Sequence, residues 1–315
     1  MAYQKIILVI RKTQLEELIE RHGTRDQAAF LIKQRGQSID EVVSAHDVYQ
    51  QSLAQLKAAI PSSIRFQVIE RSFLPNFLFG PHDLVITLGQ DGLVVNTAKY
   101  LNDQPIAAFN PDPARIDGIL IPFNLVRVHQ ILEQILADAL PKRSITMARA
   151  QLDDGQKLDA VNDLFIGIQG HASARYLLCY QNISEEQSSS GIIVSTGAGS
   201  TGWYSSVLIG AHGVVESTTK KKKESHKIAS GFPMESRELR FSVREPFVSR
   251  ISQAAIVHGT LKEQQTLEII SRMPQRGIIF SDGMEADFIR FDSGMQATIR
   301  IAPRTVQLLW HSDNR

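Results

Sequence analysis

The stretch Asp83-Leu-Val-Ile-Thr-Leu-Gly-Gln-Asp-Gly-Leu-Val-Val-Asn96 contains the strand, the turn and the helix start that decide the fold. Its apolar run from Leu84 to Leu88 predicts a buried strand, and a helix-like segment begins at Leu93. Glycines between a strand and a helix start allow backbone N–H groups to point at a phosphate. Asp91 in this turn would repel a phosphate unless it serves as a base or meets a metal, so the turn suggests phosphoryl transfer. An Asp-Gly turn alone is common.

The first 140 residues alternate between apolar runs and longer amphipathic segments. Further strands are predicted at Lys5 to Ile10, Ile64 to Ile69 and Pro105 to Phe109, and helices at Gln14 to Gln34, from a cap at Asp40 to Ile60, and at Asn124 to Leu140. Strands without polar alternation, separated by helices, predict a parallel sheet that is covered on both faces. We therefore expect residues 1–140 to form an α/β domain.

Residues 141–315 have a different pattern, with short apolar runs separated by turn residues. The predicted strands are Ser144 to Leu152, Lys157 to Ile168, Ala174 to Asn182, Gly191 to Ser195, Arg237 to Val243, Gln265 to Arg272, Gly277 to Ser281 and Ala297 to Ala302. This spacing predicts an antiparallel β-sandwich, interrupted by one helix from Ser200 to Ala211. The lysine run at Lys220 to Lys223 is expected in a solvated loop.

Composition restricts the class of protein. Hydrophobic residues are 43% and charged residues 21% of the 315, which is typical of a soluble globular chain, and the net charge of +1 gives no support for a nucleic-acid partner. Cys179 is the single cysteine, which excludes an intrachain disulfide and fits a reducing compartment. The chain starts directly with an apolar strand, and no apolar run approaches the length of a membrane span. We expect a cytoplasmic protein with no membrane partner.

Two polar segments are candidates for ligand contacts. Asn110 to Gly118 follows a predicted strand, so it would lie at the same carboxyl edge of the sheet as the Gly89 turn, where parallel sheets bind ligands. An ordinary connecting loop would give the same pattern. Asn162 and Asp163 interrupt an apolar run and could recognise a ribose diol and an adenine edge. A β-bulge or turn explains that pair equally well.

The third polar segment is Ser195-Thr-Gly-Ala-Gly-Ser-Thr-Gly-Trp-Tyr204. Its small residues and hydroxyls could contact phosphate or ribose, and Trp203 could flank a flat ring. Alternatively, it is a capped helix start whose aromatic residues belong to the core. Its glycine spacing does not indicate a Rossmann dinucleotide fingerprint, because the surroundings are β-sandwich-like and no acidic residue follows at the required place.

Other catalytic patterns are missing from the sequence. The nine histidines are scattered and do not have the spacing of metal ligands, so the sequence does not predict a metal site built from histidines. Neither a Gly-x-Ser-x-Gly elbow nor a Walker A sequence is present.

Taken in order, these segments resemble the motifs of the NAD kinase family. Gly89-Gln-Asp-Gly92 corresponds to its Gly-Gly-Asp-Gly, Asn162-Asp163 to its Asn-Glu/Asp pair, and Thr196 to Trp203 to its Thr-Pro-Thr-Gly-Ser-Thr-Ala-Tyr. The divergent mitochondrial-type branch is the most similar. The segments that indicate this branch are Arg11-Lys12-Thr13, Asn110 to Gly118, Ser242-Val-Arg-Glu-Pro246 and Ser281-Asp-Gly283. The resemblance implies a Rossmann-like α/β domain joined to a β-sandwich, the NAD kinase/diacylglycerol kinase-like fold.

The resemblance also implies a reaction, the ATP-dependent phosphorylation of the adenosine 2′-hydroxyl of NAD or NADH. Asp91 would be the catalytic base, Mg²⁺ would accompany ATP, and the enzyme would be a homodimer or larger homo-oligomer. Residues implied to contact phosphate or ATP are Gly89, Gln90 and Gly92. Those implied to contact NAD are Asn110, Asn162, Asp163, Gly199, Ser200, Thr201 and Trp203. No residue is implied as a protein metal ligand.

Two residues in the turn depart from the family pattern. Gln90 replaces a glycine and would be strained if that position required a positive φ, while Leu93 replaces a threonine. Two other functions therefore stay open. One is an NAD(H)-binding protein with impaired catalysis, and the other is a related kinase that acts on a different hydroxyl substrate.

Overall fold

The computed structural model describes residues 3–34, 36, 38–219 and 231–311. Two compact units are present, one formed by Met1–Arg143 with Gln307–Arg315 and the other by Ser144–Val306. The predicted boundary lay at residue 140, and the prediction left the C-terminus in the second domain. The difference arises because the end of the last strand pairs with a strand of the first unit. The predicted lysine loop lies outside the described residues.

Unit 1 contains a parallel sheet in the order β2-β1-β3-β4. The strands are β1 (Lys5–Ile10), β2 (Arg65–Glu70), β3 (Asp83–Leu88) and β4 (Pro105–Phe109). Gln307 and Leu308 in the last strand of the chain add to its edge, pairing in parallel with Pro105 and Ile106. β1 and β4 have the predicted bounds, and β3 begins one residue before the predicted run from Leu84 to Leu88; all three consist mainly of apolar residues.

Five helices accompany this sheet in the described part of unit 1. They are α1 (Gln14–His22), α2 (Arg25–Gln34), α3 (Ile39–Ala59), α4 (Asp91–Ala98) and α5 (Val128–Leu136), with a 3₁₀ turn at Arg71–Asn76. The single helix predicted from Gln14 to Gln34 is two helices, because Gly23 has a φ of 87° and ends α1. Ser38, rather than Asp40, caps α3 by accepting the backbone N–H of Asp40 at 3.1 Å.

Both faces of the unit 1 sheet are buried. Leu8 and Ile86 belong to a core with Leu56 of α3 and Leu132 of α5. Residues that alternate with them, such as Val85, are also fully buried, and α4 contacts β1, β3 and β4. The prediction of a parallel sheet covered on both faces is confirmed.

Unit 2 is a β-sandwich whose two sheets share one apolar core. The first sheet has the path β16-β13-β8-β9, with β5 paired to β16 and β6 paired to β5, and the second has the order β12-β11-β10-β7-β14-β15. Its strands are β5 (Lys142–Leu152), β6 (Lys157–Ala160), β7 (Asp163–Ile168), β8 (Ala174–Tyr180), β9 (Ile183–Ser189), β10 (Ile192–Ser195), β11 (Glu238–Val243), β12 (His258–Lys262), β13 (Leu267–Ser271), β14 (Gly277–Ser281), β15 (Met284–Arg290) and β16 (Gln296–Leu309). The prediction of an antiparallel sandwich is confirmed.

Three strands of unit 2, β9, β12 and β15, were not predicted. The sequence of β9 is polar, yet Glu185, Gln187 and Ser189 alternate inward and are buried with hydrogen bonds. The predicted helix is α6 (Trp203–Thr219), which extends well past Ala211. In the described part of the chain, no helix is both long and apolar enough to cross a membrane.

Candidate functional site

Asp91 is the first residue of α4 and lies just beyond the carboxyl end of β3. Its carboxylate accepts two backbone N–H groups, from Ile119 at 3.0 Å and from Leu120 at 2.9 Å. Each carboxylate oxygen therefore holds one hydrogen bond and keeps a lone pair for another donor. The same two bonds fix the direction of the carboxylate, which is only partly exposed.

The start of α4 also offers backbone donors. Within the described residues, the N–H groups of Asp91 and Gly92 have no protein acceptor, as expected for the first turn of a helix. Gly92 is exposed, and a Cβ built on it would meet no atom within 4 Å. Open space, two free donors and a fixed carboxylate are thus side by side, an arrangement suited to a phosphate beside a base.

Gln90 and Leu93 fit the turn without strain. Gln90 has a φ of −92°, which is ordinary extended backbone, so Gln90 does not carry the backbone strain that a positive φ would cause. Leu93 is 2% exposed and packs against Gly89, where a Cβ would approach its Cδ2 to 2.9 Å. Leu93 thus makes a core contact at the position where the family that this sequence resembles has a threonine, and a Cβ at position 89 would press on the Leu93 side chain.

Asn110 organises its own loop. Its side-chain N–H donates to the carbonyl of Ile116 at 2.9 Å, and its side-chain oxygen accepts the N–H of Asp112, also at 2.9 Å. Ser52 of α3 holds the same loop by donating to the carbonyl of Pro111 at 2.8 Å. These bonds shape the segment that leads to the amides on Asp91. The predicted contact between Asn110 and NAD stays a prediction.

In unit 2, Asn162 and Asp163 lie at the junction of β6 and β7. The carboxylate of Asp282 accepts the backbone N–H groups of Val161, Asn162 and Asp163 at 3.2, 2.7 and 3.3 Å. Asp282 belongs to the hairpin turn between β14 and β15 and has a φ of 56°, a conformation that aspartate tolerates in turns. One distant carboxylate thus fixes the backbone of the predicted binding pair.

Asp163 is a carboxyl group whose pKa lies well above the ordinary value of aspartate. Burial raises its pKa to about 7, and the nearby charge of Asp282 adds to this effect. Near neutral pH, both the charged and the neutral form of Asp163 are therefore populated. The neutral form can donate a hydrogen bond as well as accept one, which an ordinary carboxylate cannot do.

The glycine-rich turn that precedes α6 packs against protein backbone. A Cβ on Gly199 would lie 2.2 Å from the carbonyl oxygen of Asn162, and one on Gly197 would lie 2.1 Å from that of Pro233. Thr196 donates its hydroxyl to the carbonyl of Val161 and its backbone N–H to that of Asn162. The structure therefore brings Asn162, Asp163 and Gly199 together, and their predicted contact with NAD stays a prediction.

Other predicted residues in this turn have separate roles. Ser200 is 2% exposed, donates to the carbonyl of Gly197 at 2.7 Å and accepts the N–H of Phe232 at 3.1 Å. Trp203 stacks on Phe165 at 5.5 Å between ring centroids, with the guanidinium of Arg244 over its ring at 5.2 Å. These contacts agree with the alternative interpretation of this segment, in which the Ser200 hydroxyl and the Trp203 ring stabilise the start of α6. Thr201 is exposed.

Comparison with known proteins agrees with this geometry. No protein-family model matches the sequence. The chain is 26% identical over 226 residues to a probable NADH kinase of Oryza sativa subsp. japonica, which covers 64% of this chain and 63% of the relative. It is 25% identical over 238 residues to the NADH kinase of Arabidopsis thaliana, covering 64% and 65%. The alignments thus span less than two thirds of either plant relative.

Solved structures show the same architecture. The yeast NADH kinase complexed with NADH superposes with a TM-score of 0.62 at 12% identity, covering 99% of this chain and 85% of that one. The NAD kinase from Archaeoglobus fulgidus in complex with ATP gives 0.57 at 14% identity, covering 98% and 95%. The fold is that of the NAD kinases. The resemblance inferred from the motifs is confirmed at the level of fold and sequence similarity.

Proposed function

We propose that this chain is an NAD(H) kinase that transfers the γ-phosphoryl group of ATP to the adenosine 2′-hydroxyl of NAD or NADH. The observation that carries the proposal is the fixed carboxylate of Asp91 beside two free backbone N–H groups and the open Gly92. Similarity to plant NADH kinases supports the dinucleotide as acceptor.

In the proposed reaction, Asp91 accepts the proton of the 2′-hydroxyl as its oxygen attacks the γ-phosphorus of ATP. The bond from that phosphorus to the bridging oxygen breaks, and ADP leaves. A positioned base supplies roughly 10²–10⁴-fold of rate. Phosphoryl transfer otherwise depends on alignment and charge neutralisation. The free N–H groups of Asp91 and Gly92 would serve that purpose for the donor phosphates.

We propose that ATP reacts as its Mg²⁺ complex. Hard cations prefer oxygen ligands, and the carboxylate of Asp91 keeps one free lone pair on each oxygen while its amide bonds fix its direction. That carboxylate could offer an oxygen to the Mg²⁺ of the complex, and the metal would enter with the nucleotide.

For the dinucleotide we propose Asn162 and Asp163 as the polar contacts in unit 2. Asp282 and Gly199 fix their backbone, so both side chains start from a defined position. A carboxyl group with a pKa of about 7 can donate a hydrogen bond to a ribose oxygen or a ring nitrogen. The proposed homo-oligomer is supported by the family resemblance, and the proposed cytoplasmic location by the single cysteine, Cys179, which fits a reducing compartment.

The test is formation of NADP or NADPH from ATP, Mg²⁺ and either dinucleotide, measured with an NADP-specific dehydrogenase. We expect product with at least one dinucleotide and none without ATP. Tight binding of NADH without product would favour the impaired binding protein instead. Absence of binding to both NAD and NADH would refute the dinucleotide as substrate and favour a kinase for another hydroxyl.

A further inference from the structure

Residues 247–252 of unit 2 form a loop that turns its hydroxyls inward and its apolar side chains outward. Ser252 donates to the carbonyl of Phe247 at 2.7 Å, and its hydroxyl lies 2.7 Å from that of Ser249. Phe247, Val248 and Ile251 are 63%, 66% and 76% exposed. Single exposed apolar residues are common on proteins, but three within five positions of one ordered loop form a patch that needs a partner.

This loop is held rigidly against β9, which is the edge strand of its sheet. The backbone N–H of Phe247 donates to the carbonyl of Ser188 at 2.8 Å, and that of Gln253 donates to the carbonyl of Glu186 at 2.9 Å. Just beyond the loop, the buried carboxylate of Glu185 accepts the backbone N–H groups of Ala255 and Ile256. The apolar side chains are thus presented from a fixed backbone, which lowers the entropy cost of docking.

Positive charge surrounds the apolar patch. A cavity of about 340 Å³ beside the loop is lined by Phe247 and Ile251 together with Arg175, Arg272 and Ser188. Arg272 lies 3.2 Å from Glu186, whereas Arg175 and Arg250 have no carboxylate within 4 Å among the described residues. Arg175, Arg272 and Glu186 line the cavity, and Arg250 is an exposed residue of the loop itself, so these four residues carry a net positive charge beside the exposed hydrophobic side chains.

We propose that this Arg–Phe surface (Arg175, Phe247, Val248, Arg250, Ile251 and Arg272) docks on an anionic phospholipid bilayer. The arginines would meet lipid phosphates, and the three apolar side chains would enter the boundary between headgroups and acyl chains. A second copy of the chain would bring the same positive rim, so charge favours the lipid over self-association. This inference goes beyond the proposed kinase function, does not depend on it, and replaces the expectation from sequence of no membrane partner.

Co-sedimentation of the full chain with vesicles tests the proposal. We expect binding to phosphatidylcholine vesicles that contain phosphatidylserine and little binding to phosphatidylcholine alone. Because each arginine near an anionic surface is worth about 1 kcal/mol, Arg175→Gln should weaken binding about fivefold. Higher salt should weaken it further, since exposed charges are screened.

Paired variants separate the apolar contribution from general effects. Phe247→Ser should lower the bound fraction several-fold, whereas Phe73→Ser, an equally exposed phenylalanine of unit 1, should leave it unchanged. Arg65→Gln is the matched charge control on the exposed part of β2. Thermal unfolding of each variant shows that the fold is retained.

Two outcomes would overturn the proposal. One is wild-type protein that stays in the supernatant with phosphatidylserine vesicles at low salt. The other is a wild-type oligomer, seen by light scattering, that Phe247→Ser dissociates while vesicle binding persists. In that case the surface would be an interface between copies of this chain.

Discussion

Replacing Gly199 by alanine should disturb both the stability of unit 2 and the position of the predicted dinucleotide contacts. The added Cβ would lie 2.2 Å from the carbonyl oxygen, 2.6 Å from the carbonyl carbon and 2.9 Å from the Cα of Asn162. These are backbone atoms, so no side-chain rotation relieves the overlap. One segment must move by about 1 Å, since ordinary contacts of a Cβ begin near 3.4 Å.

The expected cost is set by overpacking. Inserting a methyl group into a closely packed site costs typically 1–3 kcal/mol, and the smaller entropy of unfolded alanine offsets about 0.4–1 kcal/mol of this. For a domain of this size, each kcal/mol changes the midpoint of thermal unfolding by roughly 2–4 °C. Because the overlap is with backbone atoms, we take the upper part of that range, about 2–3 kcal/mol, which leaves a net cost of about 1–2.6 kcal/mol. We therefore expect Gly199→Ala to lower that midpoint by roughly 2–10 °C.

The assay is differential scanning calorimetry together with a titration of NADH. Asn162 moves with the strained backbone, so we expect NADH affinity to fall together with stability. Gly202→Ala is the matched control in the same turn, because its Cβ would meet only the carbonyl oxygen of Gly199, at 3.4 Å. That variant should unfold within about 2 °C of the wild type. Equal midpoints and equal NADH affinity for Gly199→Ala and the wild type would refute the reasoning.

Further predictions concern Asp163, Gln90 and Leu93. The pKa of Asp163 is about 7 in the folded state and lower in the unfolded state, so the folded state binds the proton more tightly. The free energy of unfolding should therefore fall as pH rises from about 4 to about 7, by up to about 1.4 kcal/mol per pH unit. Asp163→Asn should remove this slope in urea unfolding series, and an unchanged slope would contradict the assignment. Gln90→Gly should change the free energy of unfolding by less than about 1 kcal/mol, because the φ of −92° suits any residue; a large gain in stability would indicate strain. Leu93→Thr should cost roughly 2–4 kcal/mol by chemical denaturation, since it removes buried apolar volume, and a neutral result would show that Leu93 does not hold the turn.

Much of the fold could be predicted because its signals are local. The runs that became β1, β3 and β4 are mainly apolar, and a strand buried on both faces favours that composition. The polar strand β9 was missed because its inward polar side chains are hydrogen-bonded to groups far away in the sequence. Glu185, for example, accepts the backbone N–H of Ile256, which lies 71 positions away. A local pattern does not contain such partners.

The site shows the same limit. Asp91 and the pair Asn162-Asp163 could be proposed as site residues because polar residues interrupt apolar runs at these positions. The groups that hold them were missed. Asp282 lies 120 positions from Asn162, and the sequence marks it only as part of an Asp-Gly turn and of the Ser281-Asp-Gly283 motif, neither of which indicates its hydrogen-bond partners. The amides of Ile119 and Leu120 have no side-chain signature, because a backbone donor is present at every residue except proline.

The most direct test of the central claim is NADP(H) formation by Asp91→Asn beside binding of NADH to the same protein. Asp83→Asn is the control, since this buried carboxylate at the other end of β3 pairs with Lys5 and accepts the N–H of Gly80. Asparagine at 91 accepts from only one of the two amides, so the unfolding midpoint is recorded as well. We predict that Asp91→Asn loses roughly 10²-fold or more of turnover while NADH affinity changes little. Turnover by folded Asp91→Asn within about tenfold of the wild type would contradict the account.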